Sequence, residues 1–153
     1  MQSVEPLTWS KRNVPLSVRF NDIYFSNSGG LEEVQYVFLK RNRLPECWLD
    51  KKGQFLIGET GFGTGLNFFV TWKLWRETSL PGCDLVYYSV ERYPLTIEQI
   101  IRSISQWPEL NPFLEQFKDQ YISLEGTSKI ISLDDGNVSL KILIGDAENM
   151  LSG

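Results

Sequence analysis

The sequence predicts an α/β chain built around a parallel sheet, and three observations carry that prediction. A short apolar run, Gln54–Gly58, leads through a glycine-rich loop into residues with helical spacing. The strand-then-helix pattern repeats from Asp84, and strand-like segments return after residue 128. Alternation of this kind implies strands joined by crossover helices. The chain has 153 residues, 42% of them hydrophobic, with five Trp, nine Phe and six Tyr, which is enough to build one buried core.

Taken in order, residues 1–52 read as an N-terminal extension carrying a β-hairpin. Val18–Phe25 and Glu33–Leu39 alternate apolar and polar residues around Ser26-Asn27-Ser28-Gly29-Gly30, which predicts two strands and a turn. Residues 53–153 form the second unit. Gln54–Gly58 reads as a buried parallel strand. Leu66–Thr78 reads as a helix, with Leu66, Phe69, Val70, Trp72 and Leu74 among its apolar positions. Asp84–Val90 is a second strand. Pro94 fits the first position of a helix whose apolar residues are Leu95, Ile97, Ile100, Ile101 and Ile104. Trp107-Pro108 ends it, and Pro112–Tyr121 is a further helical stretch. Lys129–Leu133 and Val138–Ile144 read as strands around the turn Asp134-Asp135-Gly136-Asn137.

Composition removes several chemistries. The chain has no histidine, so Ser-His-Asp and Cys-His nucleophiles and His-ligated zinc or haem are excluded, and no metal site is expected. Cys47 and Cys83 lack metal-ligand or redox spacing and read as buried free thiols. The first residues have no basic stretch followed by an apolar core, and no apolar window approaches the ~20 residues of a membrane span. A cytoplasmic protein with no membrane partner is the expectation. Charge is uneven: residues 1–52 carry a net of +2 and residues 53–153 a net of -6. The basic residues of the first part, among them Lys11-Arg12, Lys40-Arg41, Arg43 and Lys51-Lys52, are either a solvated surface or a phosphate-contacting edge.

The chemistry centres on Gly58-Glu59-Thr60-Gly61-Phe62-Gly63-Thr64-Gly65-Leu66-Asn67, between the first buried strand and its helix. A ligand site is expected there, beyond the carboxyl ends of the strands. No lysine stands where a phosphate-binding P-loop needs one. A dinucleotide loop needs a third glycine at position 66, which is leucine, and its acidic partner ~20 residues on, whereas Glu91 is nearer thirty. The form acidic-x-Gly-x-Gly-x-Gly, met by Glu59, Gly61, Gly63 and Gly65, suits S-adenosylmethionine. That cofactor carries an ammonium group that welcomes a carboxylate, and it has no pyrophosphate. Glu91, after the second strand, is placed for the ribose hydroxyls. Asp146, after the third, is placed for the adenine amino group. Read separately, Glu91 is also compatible with a surface carboxylate and Asp146 with a helix cap. A nicotinamide-dependent oxidoreductase half-domain and a non-catalytic remnant stay open as alternatives.

Several blocks together resemble a known family. These are Pro15-Leu16-Ser17-Val18-Arg19-Phe20-Asn21-Asp22-Ile23-Tyr24-Phe25-Ser26, then Gly30-Leu31-Glu32-Glu33-Val34-Gln35-Tyr36-Val37-Phe38-Leu39 with Asn42, then Gly58 through Phe68, Ser89 through Leu95, and Trp107-Pro108-Glu109-Leu110. They resemble the methyltransferase domain of the bifunctional tRNA 5-methylaminomethyl-2-thiouridine biosynthesis family. The resemblance implies the N-terminal part of a Rossmann-like class I methyltransferase sheet, preceded by the hairpin. It implies methylation of the 5-aminomethyl group of 2-thiouridine at the tRNA wobble position, with tRNA as substrate. It adds Gly58 and Asn67 to the cofactor-binding set. FAD is implied only for a fused C-terminal domain that this chain does not contain.

The resemblance also implies a substrate-side aspartate in a block that would fall beyond Gly153, so no catalytic residue is assigned within the chain. The expectations that follow are an incomplete domain, a fragment inactive by itself, and an apolar sheet edge at Phe55–Gly58 that invites self-association.

Overall fold

A computed structural model describes residues 6–11, 14–20, 22–24, 30–121 and 128–145. Its N-terminal part differs from the expected hairpin. Three short strands, β1 (Leu7–Trp9), β2 (Pro15–Ser17) and β3 (Asp22–Ile23), form a small antiparallel sheet, with residues 18–20 as the turn between β2 and β3. The second expected strand is helical instead: α1 (Gly30–Glu33) runs into a wide π-type coil, Val34–Lys40. Of the expected turn at Ser26–Gly30, residues 26–29 lie outside the described residues and Gly30 opens α1. The physical reason for the difference is burial. Val34 and Leu39 are both buried while Gln35, Tyr36 and Val37 between them are exposed. A spacing of five fits neither a strand nor an α-helix, but it is the spacing that an i→i+5 coil brings to one face.

From residue 53 the alternation holds. The strands are β4 (Gln54–Thr60), β5 (Asp84–Glu91), β6 (Ser128–Leu133) and β7 (Val138–Ile144), in the order β4-β5-β7-β6. β4, β5 and β7 are parallel; β6 returns antiparallel to β7 through a short turn, so the sheet is mixed. The helices are α2 (Leu66–Thr78), α3 (Ile97–Ile104) and α4 (Asn111–Gln120). α3 starts later than expected. Thr96, not the residue before Pro94, is its cap: the Thr96 hydroxyl accepts from the Gln99 N–H, and the Gln99 side chain accepts from the Thr96 N–H. This reciprocal pair satisfies two otherwise unpaired donors and fixes the start.

The core is aromatic and centres on α2. Phe68 meets Tyr87 of β5 edge-on at 5.0 Å, Phe69 meets Phe117 of α4 at 5.0 Å, and Trp72 meets Phe113 of α4 at 4.9 Å. On the other flank Trp75 meets Trp48, which precedes β4, at 5.1 Å. α2 is thus buried nearly all round, as a central helix must be. Leu85, Tyr87, Leu140 and Ile142 are buried on the sheet face toward it, whereas Leu56 (59% exposed) and Ile130 (67% exposed) stand on the opposite face. β4 is the edge strand, pairing only with β5 among the described residues.

The β6–β7 turn is pinned to this core by Asp134. Its carboxylate accepts from the buried indole of Trp72 at 2.7 Å, from Arg76 and from Gln116. Partial burial works against the charge, but these donors outweigh it and hold the carboxyl below its ordinary range. Asp134→Ala leaves the Trp72 N–H unsatisfied and should destabilise the protein by about 2–3 kcal/mol at pH 7, read by urea denaturation. Because the pKa is depressed, that contribution is present above about pH 4 and disappears as acid protonates the group. An unchanged midpoint at pH 7 would refute this assignment.

Candidate functional site

Parallel register brings the ends of three strands together. Thr60 pairs with Val90, and Glu91 pairs with Ile144. The loop after β4 folds over these ends. The Gly61 N–H donates to the Val90 carbonyl at 2.7 Å, and the Gly145 N–H donates to the Glu91 carbonyl at 2.9 Å. The Glu91 carboxylate then bridges two loops, accepting from the Gly63 N–H at 2.8 Å and from the Tyr93 N–H at 2.9 Å. Gly65 closes the loop as the cap of α2. Its φ is +82°, its N–H donates to the Phe62 carbonyl at 2.9 Å, and a Cβ there would stand 2.8 Å from the Phe62 ring.

Beside the loop lies a cavity of about 700 Å³. Gly61, Gly63, Asn67, Glu91 and Tyr93 form one wall. The N-terminal segment forms the other, through Tyr24, Phe38, Arg41 and Asn42 among others. The Tyr24 ring sits against Gly63, 3.2 Å from where a Cβ would be.

Of the residues marked out by sequence, Gly61, Gly63, Asn67 and Glu91 line this cavity directly. Glu59 lies one layer deeper. Its carboxyl accepts from Asn67 Nδ2 at 3.3 Å and from the Ser89 hydroxyl at 3.2 Å, so Asn67 stands between it and the cavity. Gly65 lies beneath the loop. Gly58 occupies an exposed position on β4, out of phase with Glu59. Asp146 lies outside the described residues. The N-terminal wall was missed by sequence reasoning, because residues 18–39 read as a hairpin remote from the loop. The signals available were the basic Lys40-Arg41 pair and the two N-terminal resemblance blocks, which hold Tyr24, Phe38 and Asn42.

Electrostatics single out Glu59. Burial pushes its carboxyl up to about 7 against the opposing pull of its hydrogen bonds, and the Glu91 charge adds to the rise. The buried Tyr87 hydroxyl faces the same group and has no partner of good hydrogen-bond geometry among the described residues.

The chain is 42% identical over 147 residues to the tRNA 5-methylaminomethyl-2-thiouridine biosynthesis bifunctional protein MnmC of Pseudomonas fluorescens (strain Pf0-1), covering 95% of this chain and 22% of that protein. It is 38% identical over 151 residues to the protein of the same name from Aliivibrio fischeri, with the same coverage. This chain is homologous to one segment of MnmC. It spans about a fifth of the length of the curated MnmC proteins it matches. A crystal structure described as MNMC2 from Aquifex aeolicus superposes with a TM-score of 0.67 over 99% of this chain and 46% of that one, at 24% identity, a likeness of fold. No protein-family model matches the chain.

Two outcomes test the geometry of the site. Gly65→Ala forces a side chain into the Phe62 ring at positive φ, while Gly61→Ala meets open space at φ +81°. Gly65→Ala should therefore cost clearly more than the ~1 kcal/mol of backbone strain expected for Gly61→Ala, measured by chemical denaturation. Equal losses would mean that ring packing does not dictate the glycine. For Glu59, a raised pKa means that the folded protein binds more protons than the unfolded chain between about pH 4.5 and 7. Stability therefore falls as pH rises through that window. Glu59→Gln removes this loss and should gain about 3 kcal/mol relative to wild type between pH 4 and pH 8. Parallel stability curves for the two proteins would show that Glu59 is ionised throughout.

Proposed function

We propose that this chain is the cofactor-binding segment of an S-adenosylmethionine-dependent methyltransferase that methylates the 5-aminomethyl nitrogen of 2-thiouridine at the tRNA wobble position. One observation carries the reading: the glycine loop has its donors turned inward. The Gly61, Gly63 and Gly65 N–H groups already donate to Val90, Glu91 and Phe62. Two carboxylates, Glu59 and Glu91, flank the loop. Such a loop is a poor cradle for pyrophosphate, which needs free N–H groups and positive potential. It suits a cofactor that is cationic and lacks phosphate.

The residues present fit that group. Each Glu91 oxygen accepts one N–H and keeps acceptor capacity for a ribose hydroxyl. Asn67, backed by the Glu59 carboxyl, offers a polar wall for an ammonium group. Bound there, S-adenosylmethionine supplies an electrophilic methyl group on a sulfonium. The protein's task is to hold the acceptor nitrogen in line with it and to keep water away. The product in the MnmC name carries a methylaminomethyl group, which an aminomethyl nitrogen gains by one such transfer. That nitrogen must shed a proton. Glu59 and Glu91 are engaged on the cofactor side, so the proton goes to a different carboxylate or to water.

A thermal-unfolding scan with S-adenosylhomocysteine tests the reading, with NAD as control. At about 100 times its dissociation constant the ligand adds ~2.7 kcal/mol, a rise of roughly 5–11 °C at this chain length. The rise is expected with S-adenosylhomocysteine alone and should vanish in Glu91→Ala. No rise, or an equal rise with NAD, overturns the proposal.

A further inference from the structure

The mouth of the cavity carries an aromatic and cationic ledge that the cofactor reading does not use. Phe20, in the β2–β3 turn, is 63% exposed. Its ring lies 5.7 Å from that of Tyr93, which follows Glu91. The Arg19 guanidinium sits 4.0 Å from the Tyr93 ring centre and that of Arg92 5.2 Å from it. Arg41 stands on the facing wall. The chain is acidic overall, yet Arg19, Arg41 and Arg92 are all exposed around this mouth.

We propose that this ledge binds single-stranded RNA: Phe20 stacks the base next to the one that enters the cavity, and Arg19 and Arg92 contact the flanking phosphates. The proposal rests on reading the cavity as the site of an RNA-modifying reaction. Exposed aromatic faces stack unpaired bases whatever their sequence, and arginines beside them pair with phosphate. Tyr93 backs the Phe20 ring and has both guanidinium groups beside its own.

Fluorescence anisotropy with a labelled single-stranded RNA heptamer, its central base uridine, tests this on the full chain at low and moderate salt. Phe20→Ala should weaken binding about tenfold, the scale of one stacked base, and Phe20→Trp should restore it. Arg19→Ala and Arg92→Ala should each weaken binding and lower the salt dependence by the share of about one phosphate contact. Ile130→Ala, an equally exposed apolar change on β6, should leave binding unchanged, and all variants should melt within about 2 °C of wild type. If Phe20→Ala binds like wild type, or a heparin-like polyanion shows the same pattern of losses, the ledge is overturned. An S-adenosylhomocysteine melting shift with no Phe20 effect sinks the ledge alone. A Phe20 effect without that shift sinks the cofactor reading and leaves the ledge standing.

Discussion

The site is organised by one carboxylate holding two backbone N–H groups. Glu91 ends β5, and by accepting from Gly63 and Tyr93 it joins the loop after β4 to the loop before α3. Charge-assisted bonds of this kind are the stronger class. Without it, no hydrogen bond among the described residues would tie the middle of the glycine loop, at Gly63, to β5; the Gly61–Val90 and Gly65–Phe62 bonds hold only its two ends. The cavity wall, the orientation of Tyr93 and the clamp of arginines on that ring all follow from where Glu91 sits. The carboxylate is therefore structural in the free protein before it contacts any ligand.

Beneath that clamp the aromatic core sets the angle at which α2 leaves the loop. Phe68, Phe69 and Trp72 each meet a ring from β5 or α4, and Trp75 meets one from the N-terminal segment. The helix cannot rotate without breaking contacts on several sides, because interiors are packed to near-crystal density. Asn67 is thereby fixed between Glu59 and the cavity. A carboxyl pushed up to about 7 by burial is costly to keep ionised, and the Asn67 and Ser89 hydrogen bonds offset part of that cost.

Much of this was legible in the sequence, and the limits have physical causes. The bounds of α2 matched the periodicity of residues 66–78, and β5, β6 and β7 fell where apolar runs met turn residues. Glu59, the loop glycines, Asn67 and Glu91 were identified from spacing and resemblance; Gly61, Gly63, Asn67 and Glu91 reach the cavity wall, whereas Gly58, Glu59 and Gly65 do not. The sequence could not show that Glu59 sits behind Asn67, because depth is set by the neighbouring strand and not by spacing along one chain. Residues 33–39 failed for another reason. Their β-branched and aromatic content favours a strand, and tertiary burial of Val34 and Leu39 overrode that preference. With the hairpin misread, the N-terminal wall of the cavity was invisible.

That shared wall also bears on synthesis. Tyr24, Phe38 and Arg41 leave the ribosome well before Glu91 and Tyr93, the residues they face across the cavity. At about 5–20 residues per second, the early half waits several seconds for its counterpart. During that interval Trp48 lacks Trp75, and Val34 and Leu39 lack the core that later covers them. The nascent N-terminal segment is thus a natural client for chaperones that hold exposed apolar chain. The pocket forms late, as a joint product of two stretches made at different times.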